Sequence, residues 1–160
     1  ASHPSPEDRV ENLKNRAKSY PHHPQKMQHS KDGQFRKLVA ARWQGWLMDL
    51  VDTGAYDETL FIISNLKNRD FSPGALAFYR GDVFRRRNED GDLEKAKTAY
   101  LEAAAAPDAP AKTYKNLGLV AKRLKDNSKA IEYFEIYLAR YPMASDRFLV
   151  ESYIKQLRHS

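Results

Sequence analysis

Residues 111–142 read AKTYKNLGLVAKRLKDNSKAIEYFEIYLARYP, and their spacing decides the fold. Apolar residues recur at three- and four-residue intervals on both sides of Lys125-Asp126-Asn127, which predicts a helix over Tyr114 to Leu124 and a second over Ser128 to Tyr141. Pro142 lacks the amide hydrogen needed to continue the second helix. Two small residues, Gly118 and Ala130, sit where the helices would cross, and Phe134 fills the groove beside that crossing. A single pair of this kind cannot bury its own apolar face, so it needs neighbours.

The neighbours are found at a fixed distance. Ala96 to Ala130 and Tyr100 to Phe134 are each separated by 34 residues, as are Trp43 to Ala77 and Leu47 to Gly81. A register that joins small and aromatic positions in order marks an internal repeat. The middle unit carries Gly81, Phe84, Ala96, Tyr100 and Ala103, with about three extra residues at Asn88-Glu89-Asp90. The first unit is degenerate, with Trp43 at the aromatic place, Leu47 at the glycine place, Thr59 at the alanine place and Ile63 at the phenylalanine place.

The unit built on Tyr114, Leu117, Gly118, Ala130, Phe134 and Pro142 resembles the tetratricopeptide repeat family. The departures are Ala121 at a position that is usually large and Tyr137 at one that is usually small. The resemblance implies an all-α, right-handed solenoid of three helix pairs, over about 34–72, 73–109 and 110–144, closed by a capping helix over 145–158. The closing segment intersperses Phe148, Leu149, Tyr153 and Leu157 with Asp146, Arg147, Glu151 and Lys155. No stretch alternates as a strand does. Local signals agree with the pairs: Gly54 as a turn before Tyr56 to Leu66, Ser72-Pro73 opening a helix to about Arg87, Asp92 as a cap for a helix through Ala105, and Pro107 and Pro110 ending it.

Residues 1–33 form a separate segment. Pro4, Pro6, Pro21 and Pro24 fall there, and no further proline occurs before Pro73. Ser5-Pro6-Glu7-Asp8 opens a predicted helix to Ser19, stopped by Tyr20-Pro21, and Gln25 to Gly33 reads as a polar linker.

Composition narrows the function classes. The chain has 160 residues, 41% hydrophobic and 30% charged, which suits a globular fold rather than a disordered or membrane-spanning one. It has no cysteine, so disulfides, thiolate catalysis and cysteine-ligated metals are excluded. The 27 Lys and Arg against 21 Asp and Glu favour acidic partners without reaching the basicity of a dedicated nucleic-acid binder. Arg85-Arg86-Arg87 points in three directions around a helix, so no nucleic-acid partner is expected. His3, His22, His23, His29 and His159 lack metal-ligand spacing, and no metal or cofactor is expected in this chain. There is no GxSxG elbow, phosphate-binding loop or paired acid and base, so the chain reads as non-catalytic.

Repeats of this type present an inner surface from the first helix of each pair. The resemblance therefore assigns a peptide-binding face to Gln44, Met48, Phe78, Asp82, Arg85, Lys115, Leu119, Lys122 and Arg123. Lys115, Leu119 and Lys122 share one helical stripe. With the arginines they read either as a groove for a carboxylate-rich peptide, anchored on Leu119 or Phe78, or as ordinary solvated helix charges. Trp43 and Trp46 read as packing residues of the first pair.

The opening SHPSPEDRVENLKNRA resembles, through His3-Pro4, Glu7-Asp8, Arg9-Val10 and Leu13, the end of the catalytic domain in zinc metallopeptidases of the HExxH type related to CAAX proteases and beta-barrel-assembly-enhancing proteases. In several bacterial members of that family a tetratricopeptide region follows. The resemblance implies that zinc and catalysis belong to an upstream domain, since this chain has no HExxH and no downstream glutamate ligand. It also implies a periplasmic or envelope location, with a cytoplasmic one as the alternative. The expected role is a protein-interaction module for substrate or envelope proteins; the alternative is docking on its own catalytic domain or self-association.

Overall fold

The computed structural model describes residues 42–66 and 71–159. The expected helix from Pro6 to Ser19, the 25–33 linker, the start of the helix at Gln34, and His3, His22, His23 and His29 lie outside them. Among the described residues the chain is all-helical, with seven helices. These are α1 (helical at 42–52), α2 (Tyr56–Leu66), α3 (Pro73–Arg87), α4 (Asp92–Ala105), α5 (Thr113–Arg123), α6 (Asn127–Arg140) and α7 (Arg147–Arg158). Each packs mainly on its neighbours in sequence, most heavily α3 on α4 and α5 on α6.

The helix ends follow from local chemistry. Gly54 turns the chain at φ +79° between α1 and α2. Ser72 caps α3, its Oγ accepting from the Ala75 amide at 3.2 Å, and Pro73 takes the first position. Asp108, from the connection after α4, accepts from the Gly74 amide at 3.2 Å and from the Ser72 hydroxyl, placing an anion at the positive end of α3. Asp126 caps α6 through the Lys129 amide at 3.1 Å.

The three extra residues after Arg87 form a wide turn, with Asn88 and Gly91 at φ 58° and 76°. Gly91, not Asp92, occupies the cap position of α4. Asp92 is the first helical residue, and its buried carboxylate turns back to accept from the Glu89 amide (3.1 Å) and from Arg87 through Nε (2.9 Å) and a terminal nitrogen (3.0 Å). The Arg87 hydrogen bond, opposed by burial, holds this carboxyl down at about 2.

Glycine and aromatic ring alternate as the repeat requires. Gly81 and Gly118 are buried, and the atoms nearest a Cβ built on them belong to the rings of Tyr100 and Phe134. The sequence pairs these glycines with Ala96 and Ala130 across the crossing. Those alanines are fully buried too, but the closest approach is to the aromatic ring one turn further along.

One expectation about packing is corrected. Trp43 is buried, edge-on to Phe71 and Tyr79 at 5.5 and 6.2 Å, but Trp46 is 54% exposed and is not a core residue. In α7 the buried stripe is Val150, Ile154 and Leu157, while Phe148 and Leu149 face outward.

Candidate protein-interaction face

The first helices of successive pairs touch one another through polar side chains. Asp82 on α3 is buried and accepts from the Tyr100 hydroxyl (2.5 Å), from Arg85 (3.0 Å) and from Asn116 on α5 (3.0 Å). The Tyr100 oxygen accepts in turn from Arg85 Nε at 3.0 Å and Asn116 Nδ2 at 3.3 Å. Burial, then the Asp82 charge, push the Tyr100 hydroxyl far above its ordinary pKa, so it stays protonated and donates. Burial works against the charge on Arg85, yet Tyr100 and Asp82 outweigh it and hold the guanidinium charged. This cluster lies between the second and third pairs and leaves no buried side-chain polar atom unpaired among the described residues.

The cations of the predicted face divide into two kinds. Lys115 forms an ion pair with Asp146, just ahead of α7, and its Nζ lies 5.9 Å from the centre of the Tyr137 ring. The Tyr137 hydroxyl donates to the other Asp146 oxygen at 2.7 Å. Lys115 first, and then Tyr137, hold that carboxyl below its usual range against the effect of burial, while burial followed by the bond to Asp146 pushes the Tyr137 hydroxyl up to about 12. Lys115 is thus neutralised by its own fold.

Lys122 and Arg123 are held differently. Lys122 donates to Gln156 Oε1 at 2.9 Å and sits 4.6 Å over the Tyr153 ring, both on α7. Arg123 donates to the Arg85 carbonyl at 2.9 Å and to the Asn88 side-chain oxygen. Their acceptors are neutral, so the two charges are positioned without being cancelled. Leu119, half-buried, packs against the core of the last two helices.

The remaining predicted residues sit elsewhere. Phe78 is buried, its ring 5.6 and 5.7 Å from those of Tyr79 and Tyr100, so it belongs to the core and offers no surface to a ligand. Gln44 and Met48 are exposed on α1. The structure therefore holds Arg123 on the Arg85 carbonyl beside Lys122, engages the Arg85 guanidinium with Asp82 and Tyr100 instead, and adds Asn88, Tyr153 and Gln156, which sequence reasoning missed. A signal for the last was present, because Asp82 to Asn116 and Lys122 to Gln156 both repeat the 34-residue spacing.

The arginine run diverges as its adjacency demands: Arg85 to Asp82, Arg86 to Asp52 at 2.7 Å, and Arg87 to Asp92. Among the described residues no group of three or more His, Asp or Glu could hold a metal ion, and no helix is long and apolar enough to cross a membrane. Compared with protein-family models, curated proteins and solved structures, the chain matches none.

Proposed function

We propose that this chain is a protein-interaction module of tetratricopeptide type, and that Lys122 and Arg123 receive an acidic, extended segment of a partner protein. The observation that carries this reading is the neutral anchoring of Lys122 and Arg123. Gln156, Asn88 and a backbone carbonyl fix the two cations in place and leave their charge available. An incoming carboxylate would then meet preorganised donors, and Arg123 adds the planar geometry that suits bidentate contact.

The test is fluorescence anisotropy with a labelled peptide of alternating Glu and Leu, against the same length of Gln and Leu. Binding of the acidic peptide that weakens tenfold or more in a Lys122→Glu, Arg123→Glu chain of unchanged melting temperature supports the reading. Equal binding of both peptides, or no effect of the charge reversal, removes it.

The proposal extends to context. The amino-end resemblance supports a role beside a zinc metallopeptidase domain, most simply as its non-catalytic region in an envelope compartment, with metal-activated hydrolysis supplied by that other domain. The reading frame that encodes this chain decides the point: an HExxH upstream of Ala1 supports it, and a frame without one removes it.

A further inference from the structure

Pro142 cannot continue α6, and the chain reaches α7 through a short connection from Pro142 to Asp146. Its backbone is tied down. The Ala144 amide donates to the Tyr141 carbonyl and the Arg147 amide to that of Ala144, each at 3.1 Å, while the Arg147 side chain donates to the Pro142 carbonyl at 3.2 Å. This connection, the end of α6 and the start of α5 enclose a cleft of about 530 Å³, within the range of roughly 300–1,000 Å³ that small-molecule sites occupy. Its wall is apolar: the rings of Tyr137 and Tyr141, 5.6 Å apart, with Pro142 and the exposed Met143.

The uncancelled charge in the cleft is of one sign. Asp146, the acid among the described residues that line it, already accepts from Lys115 and from the Tyr137 hydroxyl. Lys112 and Arg140 line it too, and neither has a carboxylate partner among the described residues. The Arg140 guanidinium lies 4.5 Å over the Tyr114 ring. That contact uses a face of the group and none of its N–H donors, which lie in the guanidinium plane. The cation is thus held in place with its bidentate edge open. The cleft between α6 and α7 differs, because there Arg158 is already paired with Glu135 at 2.7 Å.

We infer that this cleft binds a small aromatic carboxylate. The carboxylate pairs with the Arg140 fork, Lys112 supplies a second cation, and the ring lies against Tyr141 and Pro142. The flat faces of that wall favour a ring over a branched chain. A neutral ring compound gains the wall without the ion pair, and acetate gains the ion pair without the wall, so the site selects for both parts together. Asp146 opposes the anion little, because Lys115 cancels its charge. No residue of the cleft holds Lys122 or Arg123, and the site stands or falls separately from peptide binding there.

The experiment titrates the full chain with naphthoate and follows its amide resonances by two-dimensional NMR, with naphthamide and acetate as controls. Naphthoate is expected to shift the amides of Lys112, Tyr141 and Met143 to Asp146 saturably at millimolar concentration, and both controls to bind at least tenfold more weakly. Lys112→Gln, at an exposed position, should weaken naphthoate at least threefold, and Arg140→Gln at least tenfold. Because Arg140 also covers Tyr114, Arg140→Lys takes its place if Arg140→Gln melts below the wild type; it keeps the charge, loses the fork and should still weaken binding. Charge reversal at Lys122 and Arg123 should leave naphthoate affinity unchanged. Absence of saturable shifts, shifts centred on Lys122 and Arg123, equal binding of naphthamide, or full affinity in both the Lys112 and Arg140 variants overturns the inference. Competition by the acidic Glu and Leu peptide overturns it as well, since the cleft would then belong to the peptide face.

Discussion

A Cβ added to Gly118 would stand 2.5 Å from Cδ1 of Phe134, and one added to Gly81 would stand 2.7 Å from Cδ1 of Tyr100. Both glycines are mid-helix, where alanine alone would gain about 1 kcal/mol of helix propensity. The rings they face are fully buried and cannot swing aside. Overpacking at a closed crossing costs about 1–3 kcal/mol, so each glycine-to-alanine change should leave the chain less stable in urea despite the better helix former. Combining Gly118→Ala with Phe134→Leu should cost less than the sum of the two alone, because the smaller side chain makes room. An additive result would show that the ring is not what excludes the methyl group.

The hydroxyl of Tyr100 belongs with Asp82. Tyr100→Phe removes the donor at 2.5 Å from that carboxylate and the acceptor of Arg85 Nε, and should destabilise by about 1–3 kcal/mol. In the next pair the place of Tyr100 is taken by Phe134, and the place of Asp82, counted as Gly81 is to Gly118, by Leu119. The reciprocal Phe134→Tyr should therefore also destabilise, since its hydroxyl enters a fully buried position with no carboxylate supplied by the repeat. A double-mutant cycle on Tyr100→Phe and Asn116→Ala checks the network. A coupling near zero would mean that the two side chains act independently.

Acid should act through Asp92. Its carboxyl titrates at about 2 in the folded chain against 3.8 in a free chain, with the Arg87 hydrogen bond as the main cause. Between those values the unfolded chain binds more protons than the folded one, so stability rises with pH. The contribution is complete above about pH 5 and is lost as pH falls through about 2. It amounts to at most about 2.5 kcal/mol. Urea unfolding of wild type and Asp92→Asn across pH 6 to 2 should show a gap that narrows toward the acid end. A constant gap would mean that the carboxylate charge is not involved.

The two tryptophans report on the first pair. Trp43 is enclosed by Phe71 and Tyr79, whereas Trp46 faces outward. Trp46→Phe should leave a blue-shifted emission that resists acrylamide, and Trp43→Phe a red-shifted one that is readily quenched. Matching spectra would place the two indoles in equivalent surroundings.

Much of this architecture was legible because close packing restricts residue type. Only glycine fits beneath Tyr100 and Phe134, so Gly81 and Gly118 mark the close approach of the two helices in a pair. Helix ends were legible for the same kind of reason, as Ser72-Pro73 and Gly54 have few other uses. The surface was less so. A lysine reads alike whether it meets Asp146, as Lys115 does, or Gln156, as Lys122 does, because the partner comes from another helix about thirty residues away. Similarly, Phe148 looks like a core residue until Val150, Ile154 and Leu157 are seen to fill the contact with α6. Amphipathic period gives the existence of a face more surely than its angular position.

That difference in partners makes Lys115 and Lys122 separable in the laboratory. Lys115→Met leaves Asp146, three-quarters buried beside Tyr137, without its cation, and should cost about 1–3 kcal/mol of stability while changing acidic-peptide affinity little. Lys122→Met removes a hydrogen bond to an exposed glutamine and a contact with the Tyr153 ring, which should cost about 1 kcal/mol or less. Its effect should fall on peptide binding and on the salt dependence of that binding instead. Thermal melts and anisotropy titrations on the same two variants separate the roles. If Lys115→Met weakens binding more than Lys122→Met does, the charge that matters is the paired one, and the row of neutrally held cations is not the binding face.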